Sequence, residues 1–252
     1  MVVAAALAFA GCEKEEYDQS SPEAAIDSMQ KMVVDGRPER LVDLLHIEAR
    51  DISFDDGVTE ESAIDDVKEK TADLLAQLYN VSRKLNERYP NEVVEQTEFA
   101  RSELGFIYGA ALEKGMSDFL RDPFSFVREQ RERITTIEME DGDRSIAAIL
   151  WDGEPALGEI GLQMVDVDGA WKIEFPIDMP PISGFRPETR EEWRVVANIM
   201  LAFENSLRDF ENALDNGHYH SLADASGAAG RMLGESAIIQ GAIYAMMKRG
   251  SE

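Results

Sequence analysis

The chain has 252 residues, 44% of them hydrophobic, enough apolar material for one large domain or two small ones around a buried core. Fifty acidic residues against 25 basic ones leave a net charge of −25, which repels phosphate backbones and, without any cluster of Lys and Arg, sets nucleic acid aside as a partner. One cysteine cannot form an internal disulfide, so the fold has to be held by its core alone.

The small apolar run Val2 to Ala8 leads into Phe9-Ala10-Gly11-Cys12, and the polar stretch Glu13-Lys14-Glu15-Glu16-Tyr17-Asp18-Gln19-Ser20-Ser21 follows at once. The order resembles the lipobox of bacterial lipoproteins, in which small residues precede a cysteine that is acylated and becomes the mature N-terminus. The resemblance implies a signal segment at 1–11, lipid attachment at Cys12 and an acidic tether at 12–21. It also implies an extracytoplasmic protein, anchored to the membrane of the cell envelope and able to meet a protein partner there. No basic residue precedes Lys14, as expected if Met1 is an internal start, and Phe9 stands where that class usually has leucine. By themselves, residues 2–10 also fit a buried strand or helix turn, with Cys12 an ordinary buried side chain. Nothing else approaches the roughly 20 apolar residues of a membrane span; Ala237 to Met247 comes nearest.

Ser21-Pro22-Glu23 reads as a helix start, with Ser as N-cap, Pro at the first helical position and an early acid at the positive dipole end. Ala25, Ile26, Met29, Met32 and Val33 follow at helical spacing, and Asp35-Gly36-Arg37-Pro38 ends the run. A second helix is expected from Pro38 through Leu45. After a loop at Ser53 to Gly57, a long helix opens at Thr59-Glu60-Glu61-Ser62, carries Ile64, Val67, Leu74, Leu75, Leu78, Val81 and Leu85 on one stripe, and stops at Tyr89-Pro90. A further helix is expected from Glu92 to about Leu112, with Gly105 and Gly109 placed for close packing.

From Arg133 the period changes to two. Ile134 to Glu140, Ser145 to Trp151, Leu157 to Val167 and Ala170 to Phe175 read as four strands, separated by the turns Asp141-Gly142-Asp143, Asp152-Gly153 and Asp168-Gly169. The closing hairpin Val165-Asp166-Val167-Asp168-Gly169-Ala170-Trp171-Lys172-Ile173, preceded by helices, resembles the NTF2-like or cystatin-like α+β families over residues 22–176. That resemblance implies helices packed on a four-stranded antiparallel meander. It also implies a cone able to enclose a ligand pocket lined by Trp151, Trp171 or Phe175 with a buried acid. A proline-rich linker at 177–187 then leads to a C-terminal helical hairpin at 188–252. Its first helix runs from Glu188 to Leu214 and its second from His220 or Ser221 to Met247. Ala223, Gly227, Gly230 and Gly234 are expected to let the two backbones approach.

Motifs that carry chemistry are scarce. His218 and His220 are two apart at a helix start and point in different directions, and His46 is distant in sequence. Asp141 and Asp143, Asp166 and Asp168, and Asp55-Asp56-Gly57 fit turn chemistry, since none continues into a calcium loop. No Gly-x-Ser-x-Gly elbow is present. Glu138, Glu159 and Glu174 sit on strands at positions expected to face solvent. No catalytic, cofactor-binding or metal-ligating residue is assigned, and Cys12 is the one site residue. The expected function is therefore that of a non-enzymatic envelope lipoprotein acting as a binding or scaffolding module. The alternative is a small-ligand or enzymatic pocket in the α+β cone.

Overall fold

A computed structural model describes residues 17–92, 115–141, 144–156, 158, 161–180 and 182–250. Cys12, Asp143, Glu159 and nearly all of the helix expected from Glu92 to Leu112 lie outside the described residues.

The first described residues are docked. Tyr17 is 8% exposed, the Trp171 amide donates to the Gln19 carbonyl at 2.8 Å, and Ser28 Oγ donates to the Asp18 carbonyl at 2.6 Å. The part of the expected 12–21 tether that begins at Tyr17 is therefore docked, because the Tyr17 ring finds an apolar seat and two cations, Lys31 Nζ and the Arg40 guanidinium, 5.5 and 5.9 Å from its centroid.

Helix α1 spans Pro22–Val34, and Ser21 Oγ accepts from the Ala24 amide at 3.1 Å as its N-cap. The chain then turns through Gly36, at φ +71°, into a 3₁₀ segment over Pro38–Leu44 rather than a second α-helix. The reason is the next element. Leu45 and His46 form a two-residue strand, β1, paired in parallel with the last strand of the sheet, so the chain must be extended directly after Leu44.

Helix α2, Glu60–Arg88, is capped by Thr59, whose Oγ1 accepts from the Ser62 amide at 3.2 Å. The expected strands follow as β2 (Ile134–Asp141), β3 (Arg144–Trp151), β5 (Leu162–Val167) and β6 (Ala170–Glu174), with the two-residue β4 (Glu154–Pro155) alongside β3. Their order in space is β1-β6-β5-β3-β2, and every neighbouring pair is antiparallel except β1 with β6. The meander is thus extended by a parallel edge strand. β5 begins at Leu162 because Gly158 and Gly161, at φ +63° and +67°, hold a turn where a longer strand was expected.

Register divides the sheet's residues between two faces. Ile134, Ala147, Ile149, Met164 and Trp171 point to α1 and pack with Ala25, Ile26, Met32 and Leu44. Each fully buried aliphatic side chain there contributes about 1.5–3 kcal/mol of transfer free energy. On the other face, Ile137 is 52% and Met139 44% exposed.

The two C-terminal helices, α3 (Arg190–Asp215) and α4 (Leu222–Gly250), form the expected antiparallel pair, with α2 packed along α3. Leu78, Val81 and Leu85 of α2 share one core with Leu207, Phe210 and Leu214 of α3 and with Leu222, Ala225 and Ala229 of α4. The glycines of α4 are not at that seam. Gly230 faces Met116, and a Cβ on Gly234 would meet nothing within 4 Å. Alanines already bring α4 close, so the glycines are left facing other neighbours.

Candidate functional site

Among the described residues, two constellations of charged groups bear on a candidate site. The first lies where the N-termini of α2 and α3 meet. Glu60 is wholly buried, with Oε1 accepting from Trp193 Nε1 at 3.1 Å and from Arg50 Nη2 at 2.5 Å. Its Oε2 accepts from the Arg50 amide at 2.6 Å and from Arg186 Nη2 at 3.2 Å. Burial pushes the Glu60 carboxyl up, but the Arg50 and Trp193 hydrogen bonds outweigh it and hold the group below its ordinary value of 4.5.

A second buried acid, Glu192, accepts from the Glu188 amide at 2.6 Å and pairs with Lys248 Nζ at 3.0 Å. Tyr244 Oη donates to the Phe185 carbonyl at 2.5 Å, and burial pushes that phenol up to about 12. Each carboxylate is paired and hydrogen-bonded inside the protein. The cluster therefore fastens helix ends to the 177–187 linker, and its chemistry is that of a lock.

The second constellation is open. On the sheet face away from α1, a groove of about 340 Å³ is lined by Met139, Ala148, Leu162, Phe175, Ile177 and Met179, with a polar strip along it. Within the strip, Arg144 donates to Glu174 at 2.9 Å and to Glu48 at 3.4 Å, and Gln163 donates to the other Glu174 oxygen. Asp178, on the rim, pairs with Arg186. Three carboxylates against one guanidinium in the lining make the groove acidic. His46, paired in register with Glu174, is pulled below its ordinary 6.5 by burial, with Glu174 opposing and Lys172 adding to the shift. Apolar, methionine-bearing walls with a few fixed polar groups are what a binding surface needs.

The structure divides the aromatics expected to line a cone between the two faces of the sheet, with Trp151 and Trp171 together on the α1 side. Trp171 is buried in the solid packing under α1, and Trp151 stacks on Phe126 with centroids 4.7 Å apart while Arg133 lies 4.4 Å over its ring. Of the three, only Phe175 reaches the groove, which lies on the opposite face. Glu174 does not face solvent as alternation suggested, its side chain being 13% exposed beside Arg144; Glu138 does.

His218 and His220 are exposed in the α3–α4 connection, and His46 stands apart on β1. Asp166 accepts from the Gly169 amide at 2.7 Å and Asp56 from the Val58 amide at 3.2 Å, both as turn acceptors. Among the described residues, no group of three or more His, Cys, Asp or Glu is placed to hold a metal ion, and no helix is long and apolar enough to cross a membrane. Met139 and Met179 were missed from sequence. The signal for Met139 was available, because the apolar residues of Ile134 to Met139 fall on both parities of the strand. Comparison with protein-family models, with curated proteins and with solved structures gave no match.

Proposed function

We propose that this chain is an envelope lipoprotein without enzymatic activity, anchored to the membrane through Cys12, whose body acts as a binding or scaffolding module. The reading is carried by the spacing between the cysteine and the first described residue, which is docked. Only residues 13–16 separate Cys12 from Tyr17, whose ring is buried against α1. Five residue steps span at most about 17 Å, so an acyl chain on Cys12 holds this body close to the headgroups. Two or three acyl chains anchor firmly where one binds only marginally. The acidic open groove on the sheet supplies the binding surface.

The test is intact mass and detergent partitioning of protein expressed in a bacterial host with its natural upstream start, wild type beside Cys12→Ala. The expected result is a lipid-sized increment on a chain that begins at Cys12, lost in the variant together with detergent partitioning. An unmodified chain that stays in the aqueous phase overturns the reading.

A further inference from the structure

Strand β2 closes the sheet on one side and, among the described residues, pairs with β3 alone; Arg131 Nη1 donates to the Ile134 carbonyl at 2.9 Å, and past it no described strand pairs with the outer edge over Thr136–Asp141. Such an edge is a template for another strand, and many proteins blunt it by keeping it short or covering it. This one is eight residues long, and it separates two chemically different strips. Toward the open face stand Ile137 and Met139, and Met139 also lines the groove. Toward α1 stand Thr136 and the exposed Glu138, overhung by the exposed Glu23 and Asp27 of α1. Glu23 accepts from Thr136 Oγ1, and Asp27 pairs with Arg131 at 2.6 Å.

We propose that the open edge of β2 receives an extended segment of a partner protein in which apolar and basic residues alternate. The inference rests on the reading of this chain as a binding module and names its partner's chemistry. In an added strand, successive side chains point to opposite faces, and those directly across from β2 lie about 4.5–5.5 Å from their counterparts. One set of alternate residues therefore falls beside Ile137 and Met139 and continues toward the groove, where apolar groups are covered. The other set falls beside Glu138, Glu23 and Asp27, where Lys or Arg is matched and Asp or Glu is repelled.

Charge decides between this occupant and a second copy of the chain. Pairing two β2 edges antiparallel would bring the exposed Glu138 of one copy close to Glu138 of the other, with −25 on each body. Like charges across a ladder are destabilising. An acidic, half-apolar edge on an acidic protein selects a foreign basic strand.

The probe is a labelled peptide of about eight residues, the length of β2, alternating Lys and Val, measured by fluorescence anisotropy against the full chain in detergent. Its controls are a peptide of identical composition with Lys and Val in separate blocks, and an alternating Glu and Val peptide. The expected result is binding of the alternating basic peptide at least about tenfold tighter than either control. Ile137→Glu with Met139→Glu, both at exposed positions, lowers that affinity about tenfold without changing the circular dichroism spectrum. Glu138→Lys removes most of its salt dependence.

Equal binding of the block and alternating peptides reduces the effect to bulk charge and overturns the proposal, as does wild-type affinity in the double variant. Sedimentation as a dimer that the double variant abolishes also overturns it, by naming a second copy as the occupant. Anchoring is read separately from the mass at Cys12, so the edge can fail while the lipoprotein reading stands.

Discussion

The indole Nε1 of Trp193 donates to Glu60 Oε1 at 3.1 Å, which fastens the first turn of α3 to the first turn of α2 across 133 residues of sequence. Glu60 also receives Arg50 and Arg186, and Trp193 sits in a small core with Ala63, Ile64, Val67 and Ile177. Breaking a buried ion pair leaves its partners charged and unmatched, at about 3–5 kcal/mol. Glu60→Ala is therefore expected to lower stability by about that amount, and Glu60→Gln by less, since an amide oxygen still accepts from Trp193. Urea unfolding midpoints, followed by tryptophan fluorescence, check both; equal midpoints for all three proteins would show the cluster to be energetically idle.

The same carboxyl sets a pH dependence. Its pKa is lower in the folded protein than the 4.5 it has when free, so its stabilisation is fully present above pH 4.5 and is lost as pH falls through the folded value. The stability gap between wild type and Glu60→Gln should hold steady from pH 7 to about 5 and shrink on further acidification. Denaturation series at stepped pH read this directly, and a gap that widens in acid contradicts the assigned direction.

Gly36 offers a test of local geometry. Its φ of +71° suits glycine, and a Cβ there would come within 2.7 Å of Tyr79 Oη. Gly36→Ala should cost about 1–2 kcal/mol for the left-handed backbone, with the clash added to it. Tyr79→Phe removes the nearest atom, so the double variant should recover part of the loss, although Tyr79 Cζ at 3.2 Å remains tight. A double-mutant cycle with no coupling would place the Tyr79 ring elsewhere.

Much of this architecture was legible because local rules and tertiary packing agree. Ser21, Thr59 and the apolar stripes located α1 and α2, and period-two alternation with Asp-Gly turns located the meander, which the structure gives as α+β. What was illegible depends on distant partners. Leu45 and His46 carry no strand signature of their own and become β1 only because β6 offers an open edge. Glu174 reads as an outward strand acid until Arg144 and Gln163 are brought beside it from two other strands. The groove unites residues from 48 to 179, and no spacing rule links them.

Tyr17 anchors residues 17–20 to the sheet, and its replacement should release them. The ring is buried, lies near Lys31 and Arg40, and its hydroxyl is 3.4 Å from Asp35 Oδ2. Removing a buried aromatic costs about 3 kcal/mol or more, whereas the long hydroxyl contact is worth well under about 1 kcal/mol. Tyr17→Phe should therefore behave as wild type, and Tyr17→Ala should release residues 17–20 from the sheet. Limited proteolysis would then show new cleavage at Asp18 to Ser20 in Tyr17→Ala alone. The greatest reach from Cys12 to the nearest residue still anchored then rises from about 17 to about 30 Å. In acylated protein on vesicles, energy transfer from the body's tryptophans to a headgroup dye should fall in Tyr17→Ala and stay unchanged in Tyr17→Phe. Unchanged transfer in both would mean that the distance to the bilayer is set by something other than the seat of Tyr17.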